Sequence, residues 1–348
     1  MSWLGRKKLA LVPLSRPHAI PPDQIPPDWE DQILRRVLFD PDPNTGTDRS
    51  LRAFIHAASS GRADLDAVVM PRESVDRQDV PVDILEGKLG AGLRAAGFNS
   101  AAIVMLGGPG AGTAQLGGFW ARFVMLEGVG VWAMEFMHCL TGFHHADNLN
   151  RFDEMACACG THPSAYTKAG IGWIDTSTIK SHNGGTVDYD LHSIGLVQPP
   201  PSGRVAAVRI GSSVPYLMVE ARQRVDQFEK NIPSEGVIVY QVQTSGRLGE
   251  RQNNLPPIEL LTPAALKPTE SFTSATGFRV RVTKQLSGGF RVKVTTPGPD
   301  PTLRCADLRD RIAQIEEDLI GETDLLTIRR LRQLRDQLKR EARQLGCP

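Results

Sequence analysis

The chain has 348 residues, 41% hydrophobic and 23% charged, enough to bury one large core or two modest ones. Its 40 basic and 39 acidic residues leave a formal net charge of +1, so no overall field favours nucleic acid or an anionic membrane. No run of roughly twenty apolar residues offers a membrane span, and five cysteines, an odd number, do not suggest a disulfide framework.

In chain order, residues 1–30 carry a basic cluster broken at once by prolines. The apolar stretch is too short for a secretory leader, which gives a cytoplasmic expectation, and the whole segment reads as a Pro-rich extended tail. After "DPDPNTGTD", Thr47 or Asp48 is placed to cap a helix that carries Leu51, Phe54 and Ile55 on one side. "ADLDAVVMP" reads as a strand, "VDILEGKLGAGLRAAGF" as a helix ending at Gly97, and "SAAIVMLGG" as a buried strand, which together indicate an α/β layer. "GGPGAGTAQLGG", Gly107 to Gly118, lacks the lysine and hydroxyl residue that a phosphate loop needs after its last glycine and reads as a flexible loop. It runs into the strand "FWARFVMLEG" and then into a helix.

That helix begins "WAMEFMHCLTGFHHADN", Trp132 to Asn148. Read against the zinc-hydrolase pattern HExxHxxGxxH, Glu135, His138, Gly142 and His144 are taken as its remaining positions, and Met134 stands in place of the first histidine. Residues four apart share a helix face, so positions 134 and 138 project together with Glu135 beside them, and a glycine lets the chain turn back towards His144. Downstream, Met155 lies where a methionine-containing turn would underlie such a site, and Cys157 and Cys159 are read as small buried residues in preference to a C-x-C metal pair.

Beyond residue 195 the character changes. "GRVAAVRIG", "PYLMVEARQ" and "EGVIVYQVQ" are short β-branched runs, and "FRVRVTKQLSGGFRVKVTT" alternates apolar and basic residues about a Ser-Gly-Gly turn, a hairpin signal. From 301 onward, Leu308, Ile312, Ile315 and Leu319, then Leu331, Leu334, Leu338 and Leu345, recur by threes and fours, which predicts a helical hairpin or coiled coil. Cys305 and Cys347 lie near its open end, with two free thiols as the default.

Four blocks, "LRAFIHAASSGRADLDAVV", "GGFWARFVMLEGVGVWAMEFMHCLTGF", "FDEMACACGTHPSAYTKAGIGWID" and "YLMVEARQRVDQFEKNIPSEGVIVYQVQ", resemble successive blocks of the immune-inhibitor-A-type (M6) metalloproteases, a zincin family, over residues 45 to 295 or so. The resemblance implies a zincin fold with a β-rich C-terminal part and an ancestral zinc-dependent peptide hydrolysis. It makes Glu135 the general base, His138 the second zinc ligand and His144 the third, a position that is aspartate in many such enzymes. Met134 departs from the first ligand: a thioether is soft, neutral and a poor donor to Zn²⁺. His145, Asp147 or Glu135 itself are the substitute ligands in reach, and zinc binding is expected to be weak or lost.

The expectation is therefore an α+β chain divided into a tail (1–30), a zincin-like domain (31–195), a β-rich part (196–300) and a helical hairpin (301–348). In function it is a metalloprotease homologue, impaired or inactive as a peptidase, retained as a binding or assembly module that self-associates or meets a protein partner through the hairpin. The alternative for the hairpin is packing on its own domain. The alternatives for the site are an active zinc endopeptidase acting on peptide or protein, with an atypical ligand set or as an engineered His-to-Met variant, and a copper(I) site from Met134, His138 and His144.

Overall fold

From Leu9 to Leu14 every residue is apolar, with no polar alternation, the pattern of a strand buried on both faces. In the computed structural model, which describes residues 2–16, 21–75, 82–108, 112–146, 150–244, 256–297, 301–320, 325–344 and 347, this stretch is a long strand, β1 (Gly5–Ser15). It pairs in parallel with β2 (Ala63–Val69) on one side and β4 (Ser100–Met105) on the other, and with the short β3 (Glu73–Ser74) at its end. Pro13 falls between the last β2 pairing at Leu11 and the first β3 pairing at Leu14, where a missing N–H breaks no ladder on that edge. The expected N-terminal tail is thus corrected: its apolar half is the middle of a sheet, hidden from sequence reading by the basic cluster and prolines around it.

The same sheet continues from β4 to β6 (Trp120–Val124), parallel, and ends on β5 (Thr113–Ala114), antiparallel, in the order β2-β1-β4-β6-β5. The segment read as a flexible loop, Gly107 to Gly118, therefore carries the edge strand of the sheet; its residues 109–111 lie outside the described residues. The remaining strands are β7 (Ile179–His182), β8 (Thr186–His192), β9 (Arg204–Val205), β10 (Ala207–Ile210), β11 (Tyr216–Arg222), β12 (Gly236–Val242), β13 (Ile258–Leu260), β14 (Ser271–Thr273), β15 (Arg279–Leu286) and β16 (Gly289–Thr295). They form two further sheets, in the orders β13-β12-β11-β10-β7 and β14-β15-β16-β8-β9, so the downstream part is β-rich as expected.

Among the described residues there are eight α-helices, and the class is α+β. The first, α1 (Trp29–Leu38), buries Ile33 and Val37 and was not expected. The next, α2 (Leu51–Ala58), buries Leu51, Phe54 and Ile55 as the spacing predicts, but Ser50 caps it, its Oγ accepting from the Ala53 N–H at 3.2 Å. Asp48 instead holds the Ser50 N–H. Helices α3 (Val82–Ala95), α4 (Val129–Thr141), α5 (Glu154–Cys157) and α6 (Ala165–Ile171) follow. The central one is α4, buried on almost every face and packed on β6, with Trp132 stacked on Phe123 at 4.3 Å.

Residues 2–183, 187–272 and 280–294 form one compact unit, which runs across the boundary expected at 195/196. Residues 184–186, 273–279 and those from 295 onward form a second, smaller one. In that smaller unit α7 (Pro301–Ile320) and α8 (Leu325–Gln344) bury Leu308, Ile315 and Leu338 against each other. A disulfide joins Cys305 to Cys347, and another joins Cys157 to Cys159, leaving Cys139 as a buried free thiol. The first corrects the expectation of two free thiols, and the second that of two small buried residues, since Cys157 and Cys159 are bonded and half-buried. An odd count shows that one cysteine is left over, not that the other four are.

Candidate functional site

Met134, Glu135 and His138 lie on α4 and are 4%, 6% and 3% exposed. The helix reaches them from β6 and stops one turn later at Gly142, whose φ of 72° is left-handed, a conformation that favours glycine at a helix end. Counted from Met134, the glycine of HExxHxxGxxH falls on Thr141, and Gly142 comes one residue later. The chain nevertheless turns there, and the His138 carbonyl accepts both the Gly142 N–H at 2.9 Å and the Gly117 N–H at 2.8 Å. The second bond ties the segment that follows β5 to the end of the helix.

His138 Nδ1 lies 2.5 Å from the Phe143 carbonyl oxygen. A carbonyl accepts and cannot donate, so the proton is on Nδ1 and the lone pair is on Nε2. That Nε2 is buried and has no hydrogen-bond partner among the described residues. Burial, with the nearby His145 and His144 charges, pulls the His138 pKa down to about 4. Burial pushes the Glu135 carboxyl up to about 7, and Gly112 lies so close that a methyl group there would come within 2.5 Å of Glu135 Cγ. A carboxyl with a raised pKa and a neutral imidazole thus sit one turn apart on the same buried helix.

The third expected ligand, His144, is not the ring that touches His138. The ring in contact with His138 belongs to His145, edge to face at 4.5 Å between centroids, while His144 is half-buried beside it. Asp147 lies outside the described residues. Met155, fully buried on α5, is joined to this turn through its carbonyl, which accepts the Ala146 N–H at 2.9 Å. Behind α4, a Cβ on Gly130 would come within 2.1 Å of the Ala158 carbonyl oxygen, so only glycine lets the helix pack on the chain after α5.

The fit to zinc can be judged from these donors. His138 has what a metal-ligating imidazole needs, a locked tautomer and an unused buried lone pair. The rest of the set is short: Met134 offers a thioether where a strong first donor is required, and among the described residues no three of His, Cys, Asp and Glu come together to hold a metal. The donors among the described residues do not fit a catalytic zinc centre. No protein-family model matches this chain, and no curated protein matches it.

A second polar cluster, next along the chain, escaped sequence reading. Arg222 on β11 is fully buried, and all five of its N–H donors are used. Nε and one Nη bind Glu229 at 3.1 and 2.6 Å; the others reach Glu220 at 3.2 Å and the carbonyls of Phe152 and His162 at 2.5 and 3.0 Å. Glu220 also accepts from Tyr240 Oη at 2.9 Å and the Ala165 N–H at 2.7 Å. Asp153, whose side chain caps α5 through the Met155 N–H, accepts from Ser164 and Thr167 as well. Lys168 reaches the Ile194 carbonyl at 2.6 Å and His162 at 3.3 Å, with its pKa pulled down to about 8 by burial. The available signal was Glu220 and Arg222 two residues apart in an apolar strand, which places both on one face of the sheet.

Proposed function

We propose that the chain is a zincin-type metalloprotease homologue of the M6 kind, with a degenerate zinc site, no peptidase activity of its own, and a present role as a binding or assembly module. The observation that carries this reading is on α4. His138 keeps the locked tautomer and idle Nε2 of a ligand, and Glu135 keeps the place of a base, yet the residue one turn before His138 is a methionine packed in the apolar core. The main-chain bond that ties buried Met155 to the histidine turn adds support. The glutamate is also weakened as a base, because its raised pKa keeps much of it protonated near neutrality.

Module use is supported by the second unit, a disulfide-joined helix pair with heptad-spaced leucines. No described helix is long and apolar enough to cross a membrane. The two disulfides favour an oxidising compartment over the cytoplasmic expectation.

The test is metal content and gain of metal. After dialysis against a mild chelator, elemental analysis of the native chain should find far less than one zinc per chain. Met134→His should retain zinc, because His138 already presents its lone pair to that face. Stoichiometric zinc retained by the native chain, or cleavage of an unstructured protein substrate that a chelator abolishes, would replace this reading with that of an atypical active endopeptidase.

A further inference from the structure

The helix pair has two charged faces that its own packing does not use. α7 carries three basic residues against five acidic ones, whereas α8 carries seven basic against two acidic. Among the described residues one cross-helix ion pair is formed, Lys339 to Glu316 at 2.6 Å. On α7 the exposed acids Asp310 and Glu317 are seven residues apart, so they lie on one stripe, and the core positions Leu308 and Ile315 lie on the opposite face. On α8 the exposed Arg329, Arg332, Arg340 and Arg343 recur at helical spacing along another stripe. They pair with no carboxylate among the described residues. Asp336, the acid within that stripe, is already held by Arg335 at 2.8 Å.

We propose that this pair docks on the same pair of a second copy of the chain, the acidic stripe of α7 against the arginine stripe of α8. The proposal rests on the assembly half of the reading above and names its partner. Charge complementarity supplies the occupant: the exposed helix of opposite sign that either stripe needs is the other helix of an identical chain. Arginine suits the role, because its planar fork binds carboxylates bidentately. Ile320, 87% exposed at the end of the acidic stripe, gives the contact apolar surface to cover. Each stripe points away from the seam between α7 and α8, so the contact runs head to tail, the α7 of one copy on the α8 of the next, and not through a shared two-fold face. An anionic membrane is the less suitable partner, because Leu331 and Leu338 of α8 pack in the seam and Leu334 lies on the helix side opposite the arginines, so none of these three lies among the arginines to insert with them.

The experiment is sedimentation of the full-length chain over a wide concentration range, at low and high salt. Mass should exceed one chain, rise with concentration and fall with salt. Two charge-swapped variants sharpen it: R329E/R332E/R340E/R343E on α8, and D310R/E317R on α7. Each should raise the dissociation constant by roughly a hundredfold, and an equimolar mixture should recover the native mass, because the acidic α8 of one then meets the basic α7 of the other. Helical circular dichroism checks folding, and the salt dependence of the native chain stands by itself should a variant fail to fold. A chain that is monomeric throughout overturns the proposal and leaves assembly with a different protein as the surviving reading. Association that ignores salt and both swaps overturns the proposed surface but not assembly. Swaps that each dissociate the chain yet fail to rescue one another overturn the complementarity.

Discussion

Two buried polar clusters follow one another along the chain, and they are built on opposite plans. Around Arg222, guanidinium, carboxylates, phenol and main-chain groups are so matched that every guanidinium N–H has an acceptor. Around His138, the imidazole has one partner and an idle nitrogen, and Glu135 has no hydrogen-bond partner among the described residues. A buried charge that is paired throughout serves the fold; a buried polar group left without its partner is a cost that the fold alone does not explain. The difference separates a cluster that serves the fold from one whose idle group is what the proposed degenerate site would leave behind.

The contrast can be broken first at the structural cluster. Arg222→Met leaves Glu220 and Glu229 buried without their cation, and should cost about 3 to 5 kcal/mol in urea unfolding. A loss below about 1 kcal/mol would mean that water reaches the cluster, and the two regions would no longer differ in kind. Next is Gly130→Ala at the joint between α4 and the chain after α5. Its methyl would meet the Ala158 carbonyl, which is main chain and cannot swing aside, so a loss of about 1 to 3 kcal/mol is expected. Retention of full stability would show that α4 is not seated there.

The smallest effects concern pH. Glu135 has a pKa of about 7 when folded against an ordinary value of 4.5, so between these the folded chain binds the extra proton and stability falls as pH rises. His138 stands at about 4 against 6.5, so the unfolded chain binds the extra proton and stability rises across that window. The two oppose each other between pH 4.5 and 6.5. Glu135→Gln should leave the rising limb, and His138→Asn the falling one, each by on the order of 1 kcal/mol after solvent screening. Urea midpoints at acidic, intermediate and neutral pH read this directly; flat profiles in both variants would mean that neither group is buried as described.

Much of this was legible in sequence because it depends on local pattern. The helical spacing around Leu51, the strand at Ala63–Val69 and the Ser-Gly-Gly hairpin were read from neighbours in the chain. So was the α4 segment, where Glu135 and His138 sit within one turn. The Arg222 cluster was not, since its partners come from Phe152, His162, Glu220, Glu229 and Tyr240, and no spacing rule links residues that meet only after three elements have packed. β1 was missed for another reason: a proline usually argues against a central strand, and here it falls where the partner on one edge changes. That the ring touching His138 belongs to His145 was not legible either, because it depends on how the chain runs after the helix ends at Gly142.

The position of β1 also bears on how the chain is made. Its neighbours in the sheet are residues 63–69 and 100–105, so during synthesis the apolar Leu9–Leu14 run waits about 50 residues for its first partner and about 90 for its second, several seconds at ordinary elongation rates. Until β4 arrives the Leu9–Leu14 run is a template for any exposed strand nearby, including the same run on a neighbouring nascent chain. The basic pair Lys7 and Lys8 just ahead of it is then a guard against such pairing as well as part of the strand, which makes the yield of soluble protein, more than its final stability, the property most exposed to change at those two lysines.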